Sequence, residues 1–412
     1  MSEYFDTLEI RDPDARERAQ FVALRAQISH AKANAPAYAR LLAAVDPAAI
    51  TSHDALAQLP VTRKSALVDM QKEQPPFGGL STVGWGRARL AFASPGPIYE
   101  PEGAATDYWR LARALFAAGF RSGDLIHNCF SYHFTPGGAM LESGAHALGC
   151  SVFRGGIGQT EQQVQAMKQL RPDGYVGTPS FLKIILDKAD DLGIELPTLQ
   201  KVLLSGEAFP AAFRKTLASR GIAGHQVYAS ADLGSIAYES AAGEGLIVDE
   251  GVLLEVVRPG TGDPVAVEEV GEVVVTLLHN ADYPLIRFGT GDLSAVLPGA
   301  SPCGRTNLRI KGWLGRADQT TKVKGMFVHP AQVDAIIKRH PEIGRARLVV
   351  DDAGGSDRMT LHIELCDVAR ADTEAIVATM RNVTKLRGEV AVEAAGHLAN
   401  DGKVIDDTRK HT

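Results

Sequence analysis

In the first 45 residues apolar side chains recur at spacings of three and four, among them Phe21, Leu24, Ile28 and Ala31, and this predicts helix. From about residue 104 the period switches back and forth between helix and strand. Helices are expected over 106–118, stopped by Gly119, over 180–192, ending at Gly193, and after Pro210. Thr160 followed by Gln163 predicts a capping box that opens a further helix over 161–170. Strands are expected over 124–130, 174–177, 201–204 and 225–228. This alternation predicts an α/β sheet with helices on its faces. The stretch 75–86, rich in Gly and Pro, predicts loop. Beyond residue 245 the β-rich runs 252–257, 272–278 and 293–297 predict a small, mostly antiparallel unit. Past residue 318 comes strand 321–328, helix 330–340, strands 345–350 and 358–365, helix 373–386 and strand 389–393. That β-α-β-β-α-β order describes a compact two-layer α+β domain, with a boundary near 312–318.

Length and composition narrow the function. A chain of 412 residues, 45% hydrophobic and 22% charged, has material for two or three domains and argues against disorder. No period of 20–50 residues repeats, and no apolar run approaches the roughly 18 residues of a membrane span. A formal net charge of −6 disfavours a nucleic-acid partner. Cys129, Cys150, Cys303 and Cys366 include no CxxC pair, which suits reduced thiols in a cytoplasmic protein. The acidic start, Met1-Ser2-Glu3-Tyr4-Phe5-Asp6, is not expected to be a secretory signal.

The chemistry is carried by several short stretches taken together: Leu204-Ser205-Gly206-Glu207, Tyr283-Pro-Leu-Ile-Arg-Phe-Gly-Thr-Gly-Asp292, Gly315-Arg316-Ala317-Asp318, Lys322-Val-Lys324-Gly-Met-Phe-Val-His-Pro330 and Gly402-Lys403-Val404-Ile405-Asp406. In this order and spacing, over roughly residues 55–406, they resemble the adenylate-forming ligases. Gln159-Thr160-Glu161-Gln162-Gln163, Gly177-Thr178-Pro179-Ser180 and Cys303-Gly304-Arg305-Thr306 narrow the resemblance to the phenylacetate–CoA ligase group.

The resemblance implies a large N-terminal α/β domain with a small β subdomain, residues 1–316, and a compact mobile α+β C-terminal lid, residues 317–412. It implies an AMP-forming acid–CoA ligase that uses ATP, Mg²⁺ and CoA, with a homodimer plausible. By the same match Asp292 would accept hydrogen bonds from ribose, and Arg316 would contact ribose or phosphate. Asp318 would be the hinge of the lid and Lys403 its mobile cation. Ser205, Gly206 and Glu207 would pack on adenine, where small residues let the main chain come close. Tyr228 would stack on the base, and Asp232 would replace the family glutamate that holds Mg²⁺. Lys322 and Lys324 are further cofactor-binding candidates. The acyl pocket would be lined by Tyr132, His133, Phe134 and Gly138 of the run 131–138, with His133 either recognising a polar group or serving as a structural histidine. Between Cys303 and Arg347 ten Lys or Arg face three Asp or Glu, a basic stretch that suits the phosphates of ATP and CoA or a plain solvated face.

Two departures stand out. Where the family has a Ser/Thr/Gly-rich phosphate loop closed by lysine, this chain reads Ala93-Ser94-Pro95-Gly96-Pro97-Ile98-Tyr99-Glu100-Pro101. The prolines lack donors, and Glu100 is expected to repel polyphosphate. Where some members hold zinc, this chain has Ser240, Ile247, Ser301 and Cys303; one sulfur is too few, so no zinc is expected and Cys303 reads as an ordinary loop thiol. Two rivals remain: an adenylating enzyme with a carrier protein or amine as acceptor, and a non-catalytic descendant that binds a nucleotide or acyl ligand.

Overall fold

The computed structural model describes residues 3–94, 97–323, 326–352, 357–366, 372–399 and 403–409. The chain divides into two compact units, Met1–Thr290 with Ala295–Trp313, and Gly291–Ser294 with Leu314–Thr412.

The first unit is built on a nine-stranded sheet. Its parallel part runs, in spatial order, Ala223–Ser230, Lys201–Leu204, Gly174–Gly177, Leu125–Asn128 and Ser151–Arg154. Strands covered on both faces need continuous apolar sequence, and Val202, Leu203 and Leu204 are fully buried. The helices between them are set by local chemistry. Thr178 caps the helix Pro179–Asp191, its hydroxyl accepting from the amide of Phe181, and proline opens the first turn. Leu182, Ile185, Leu186 and Ala189 then form the stripe that packs on the sheet. Beyond Ala223–Ser230 the sheet continues antiparallel through Gly234–Glu239, Leu246–Val248 and Arg309–Ile310. A second sheet holds Thr62–Arg63, Phe288–Ser294, Gly271–Leu277 and Val252–Val257. In the second unit, the strands Glu389–Glu393, Asp357–Leu365, Ile343–Asp352 and Ile405–Asp407 form one sheet over its own apolar core.

Several expectations need correction. The helix expected over 106–118 is only Ala112–Ala117. Asp107 and Arg110 adopt left-handed backbone, with φ of 51° and 59°, and the Asp107 carboxylate accepts from the amides of Leu111 and Ala112, so the helix starts late. The capping box at Thr160 does not form: Gln159 is the cap residue with no side-chain bond, and Gln163 turns inward to His127 and the carbonyl of Gly155. The strand expected over 321–328 is two short strands, Thr321–Val323 and Met326–Val328, paired antiparallel. Ile405–Asp407, not expected as strand, lies parallel to Ile343–Asp352. The stretch read as a phosphate loop is a β-hairpin, in which Leu90–Ser94 pairs antiparallel with Ile98–Glu102.

Candidate active site

In open α/β sheets ligands bind beyond the carboxyl ends of the parallel strands. Four of the sequence-derived segments leave the sheet at that edge. After Lys201–Leu204 comes Ser205, whose hydroxyl donates to the carbonyl of Val227 at 2.8 Å and whose amide donates to Gly177 at 3.2 Å. Gly206 has φ of +82°, and a Cβ there would meet nothing closer than 3.6 Å; backbone conformation rather than space demands glycine. Glu207 accepts from the Ser180 hydroxyl at 2.8 Å and the Ser180 amide at 3.2 Å, which puts its charge at the start of the helix Pro179–Asp191. Tyr228, on the neighbouring strand, donates its hydroxyl to Thr290 at 3.3 Å. The structure therefore brings Ser205, Gly206 and Glu207 beside Tyr228 in one part of the sheet edge.

The run 131–138 follows Leu125–Asn128. Buried Asn128 organises it, donating to the Tyr132 hydroxyl and the Gly138 carbonyl, each at 2.9 Å, and accepting from the Phe130 amide at 3.0 Å. Sequence reading missed Asn128, whose only signal is a polar residue closing a buried strand. Tyr132 donates to Glu142 at 3.0 Å, and burial, then the Glu142 charge, holds its phenol well above the usual range. Glu142 in turn accepts from Arg154 Nε at 2.6 Å. Gly138 packs so closely that a Cβ would lie 2.8 Å from the Ser131 carbonyl and 2.9 Å from the Tyr132 ring. His133 and Phe134 are exposed, Phe134 to 81%. Phe134 shares an uncharged concavity of about 440 Å³ with Trp85, Phe92 and Tyr99, and its carbonyl accepts from the Ala93 amide at 2.8 Å.

Asp232 lies just past Ala223–Ser230 and is buried; its Oδ2 meets Lys64 Nζ at 2.5 Å. Glu100 does not face outward as expected. It sits fully buried in the hairpin, and its Oε1 accepts from the Ser94 hydroxyl. Burial, reinforced by the charge of Asp232, raises its carboxyl to about 8 against the opposing pull of Ser94 and Lys64. Glu100 Oε2 and Asp232 Oδ1 have no hydrogen-bond partner among the described residues. Magnesium is held by about six oxygens, often one or two carboxylates with water. Here one oxygen of Asp232 is already neutralised by an ammonium, and among the described residues no three His, Cys, Asp or Glu converge. The donor set does not fit a resident Mg²⁺.

In the second unit Asp292 and Arg316 form an isolated antiparallel bridge, and Arg316 Nη1 meets Asp292 Oδ1 at 3.2 Å. Asp318 lies in the single helical turn Ala317–Gln319 and Lys322 in the strand Thr321–Val323; Lys324 is outside the described residues. Lys403 is exposed, with Nζ 3.3 Å from Asp406 Oδ1, and the amide of the next residue, Val404, donates to Gln319 Oε1 at 2.8 Å.

Cys303 is no ordinary thiol. Burial pushes it up, but hydrogen bonds from Ser240, Ser301 and Arg305 outweigh burial and bring it to about 7. Ser301 Oγ lies 3.0 Å from its sulfur and Arg305 Nη1 3.6 Å.

No family model matches the chain. It is 31% identical over 364 residues to the phenylacetate–coenzyme A ligase of Thermus thermophilus, covering 84% of this chain and 80% of that one. To the enzyme of the same name from Aromatoleum evansii it is 29% identical over 380 residues, covering 87% and 84%. Among solved structures it resembles an open conformation of 2-hydroxyisobutyryl-CoA ligase in complex with 2-HIB-AMP and CoA, with a TM-score of 0.86 at 23% identity over 98% of this chain and 95% of that one. An amide bond synthetase from Marinactinospora thermotolerans shares the fold more distantly, with a TM-score of 0.55 at 16% identity over 95% and 92%. With a relative above 30% identity along most of both chains, the chain belongs to the phenylacetate–CoA ligase family of adenylate-forming ligases.

Proposed function

We propose that this protein activates a small carboxylic acid in two steps and hands it to CoA. A carboxylate resists nucleophiles because of its own charge. Its oxygen attacks the α-phosphate of ATP, the bond to the β-phosphate breaks, and acyl-adenylate and pyrophosphate form. The CoA thiol then gives up its proton and attacks the acyl carbonyl, and AMP leaves. Positioning and cationic stabilisation of the phosphoryl oxygens carry the first step. Ser205, Gly206 and Glu207 offer backbone to the adenine, and Tyr228 offers its ring. Asp292, paired with Arg316, accepts from the ribose hydroxyls, and Arg316 contacts ribose or phosphate. Lys322 and Lys324 add cationic contacts to the nucleotide. Lys403 supplies the mobile cation, with Asp318 as the pivot of its unit. The run 131–138, shaped by Asn128, receives the acid, and the uncharged lining around Phe134 suits an apolar or aromatic body. No step is routed through a resident metal.

The observation that carries this reading is the convergence of Ser205, Gly206, Glu207, Tyr228 and the run 131–138 at one edge of the sheet in a chain of this family. The four cysteines, free in the structure, suit a reducing cytoplasm, and a homodimer is proposed on the resemblance alone. Among the described residues no helix is long and apolar enough to cross a membrane. The hairpin in place of a phosphate loop favours one rival, a nucleotide- or acyl-binding protein without catalysis. Pyrophosphate release over a panel of aromatic and short-chain acids, with and without CoA, separates the two. Acid-dependent release with thioester formed only when CoA is present is the expected result. Nucleotide binding without release for any acid would favour the rival, and release with no thioester would point to another acceptor.

A further inference from the structure

Three charged side chains from distant parts of the chain meet behind the hairpin. Lys64 follows the short strand Thr62–Arg63, which is held in register by parallel pairing with Phe288 and Gly289. Asp232 sits in the turn between Ala223–Ser230 and Gly234–Glu239, with its side chain wholly excluded from solvent. Glu100 comes from the inner face of the hairpin and is also fully buried. Strands flank the turn of Asp232 and precede Lys64, and the ammonium lies 2.5 Å from Asp232 Oδ2. The ammonium pairs with Asp232, and Asp232 and Glu100 each keep one carboxyl oxygen without a hydrogen-bond partner among the described residues.

This arrangement disagrees with a metal bound by Asp232. A dication on that carboxylate would lie against the Lys64 ammonium, and like charges so close repel strongly in a buried site. Glu100 lies beside the pair, and its carboxyl is a second oxygen ligand for any cation that enters once the ammonium is gone. We propose that Lys64 is the resident counter-ion of Asp232, filling the seat a divalent cation would need and leaving metal to enter only as the nucleotide's own complex. The family's loop lysine is absent here, and the lysine beside Asp232 comes from another part of the chain. Lys64 and Glu100 are positioning residues for Asp232.

The test titrates Mn²⁺ into the full chain without nucleotide and reads bound metal by electron paramagnetic resonance. Wild type should hold no stoichiometric Mn²⁺ in the submillimolar range. Lys64→Met, which keeps the stem and removes the charge, should acquire one Mn²⁺ per chain at least tenfold more tightly. Adding Glu100→Gln to that variant should loosen the metal again at least tenfold. Lys64→Arg keeps a cation and should leave the seat closed, which covers the case in which the Met variant does not fold. Wild type binding one Mn²⁺ as tightly as Lys64→Met would overturn the proposal, and so would a folded Lys64→Met chain that gains no metal. A second arm rests on the proposed ligase reading: pyrophosphate release by wild type should follow the concentration of MgATP and ignore excess free Mg²⁺, whereas Lys64→Met should respond to both. The Mn²⁺ result stands even if no acid is activated, so failure of the metal proposal and failure of the ligase reading are told apart.

Discussion

At the scale of single residues, chemistry was legible wherever a short polar motif follows an apolar run. Ser205, Gly206 and Asp232 stand immediately beyond strands that the sequence marks clearly, so their place at the sheet edge follows from the strand ends. What escaped were pairings between residues far apart in the chain. Nothing near Lys64 announces Asp232, 168 positions away, and nothing near Glu100 announces burial. Cys303 belongs to the same class through Ser240, which meets it only after folding. Its thiol near 7 makes a direct prediction, since the thiolate is the reactive form. In a Cys366→Ser background, iodoacetamide at pH 7.5 should modify Cys303 well before Cys129 and Cys150, whose thiols burial holds at about 12 and about 11. The rate at Cys303 should rise through pH 7 and level off above pH 8 or so, as the thiolate becomes the main form. Ser301→Ala removes one donor to the sulfur and should move that midpoint upward. A midpoint unchanged by the substitution would mean that Ser301 does not stabilise the thiolate.

At the scale of elements, the sequence defines the parallel strands and the long helices well, because a fully buried strand and an amphipathic helix each write a period of their own. It fails where a polar side chain overrides the period, as Asp107 does by capping at its own left-handed residue, and where a segment is too short to show a period, as with Ile405–Asp407. Arg287 is another such override. It lies inside the run 283–292 that marks the family, yet the structure uses it as a clamp between elements. The side chain is fully buried, with Nη2 2.9 Å and Nε 3.0 Å from the Glu255 carboxylate, and it also donates to the carbonyls of Ala57, Leu59 and Gly262. Removing one member of a buried pair strands the other charge, and typically costs about 3–5 kcal/mol. Arg287→Met should therefore lower the unfolding free energy of the first unit, read from a urea titration, by that amount. Arg287→Met combined with Glu255→Met should recover part of the loss but not all, because the three carbonyls stay without their donor. Full recovery in the double variant would mean that the carbonyl bonds contribute nothing.

At the scale of the whole molecule, the second unit has its own core and sheet, and the residues expected to do chemistry there are few and linked. Gln319 beside Asp318 accepts the amide of Val404 beside Lys403, so the segment assigned as pivot and the segment carrying the cation are fastened to one another. If Lys403 is the mobile cation proposed above, this bond ties it to the segment proposed as its pivot. Among the contacts of Lys403 is an exposed ion pair with Asp406, a kind of interaction worth only about 0–1 kcal/mol. Lys403→Ala should accordingly leave the unfolding midpoint almost where it was. Loss of one charge-stabilising donor in a reacting site typically lowers a rate on the order of 10²–10³, so acid-dependent pyrophosphate release should fall by that factor. Thioester formation from acyl-adenylate supplied ready-made should survive, because AMP is already the leaving group and no polyphosphate charge has to be gathered. Gln319→Ala should lower pyrophosphate release less, by loosening the strap without removing the cation. Equal loss of both half-reactions in Lys403→Ala, with the fold intact, would show that the lysine holds the nucleotide in both steps and would remove it from the transition state of the first.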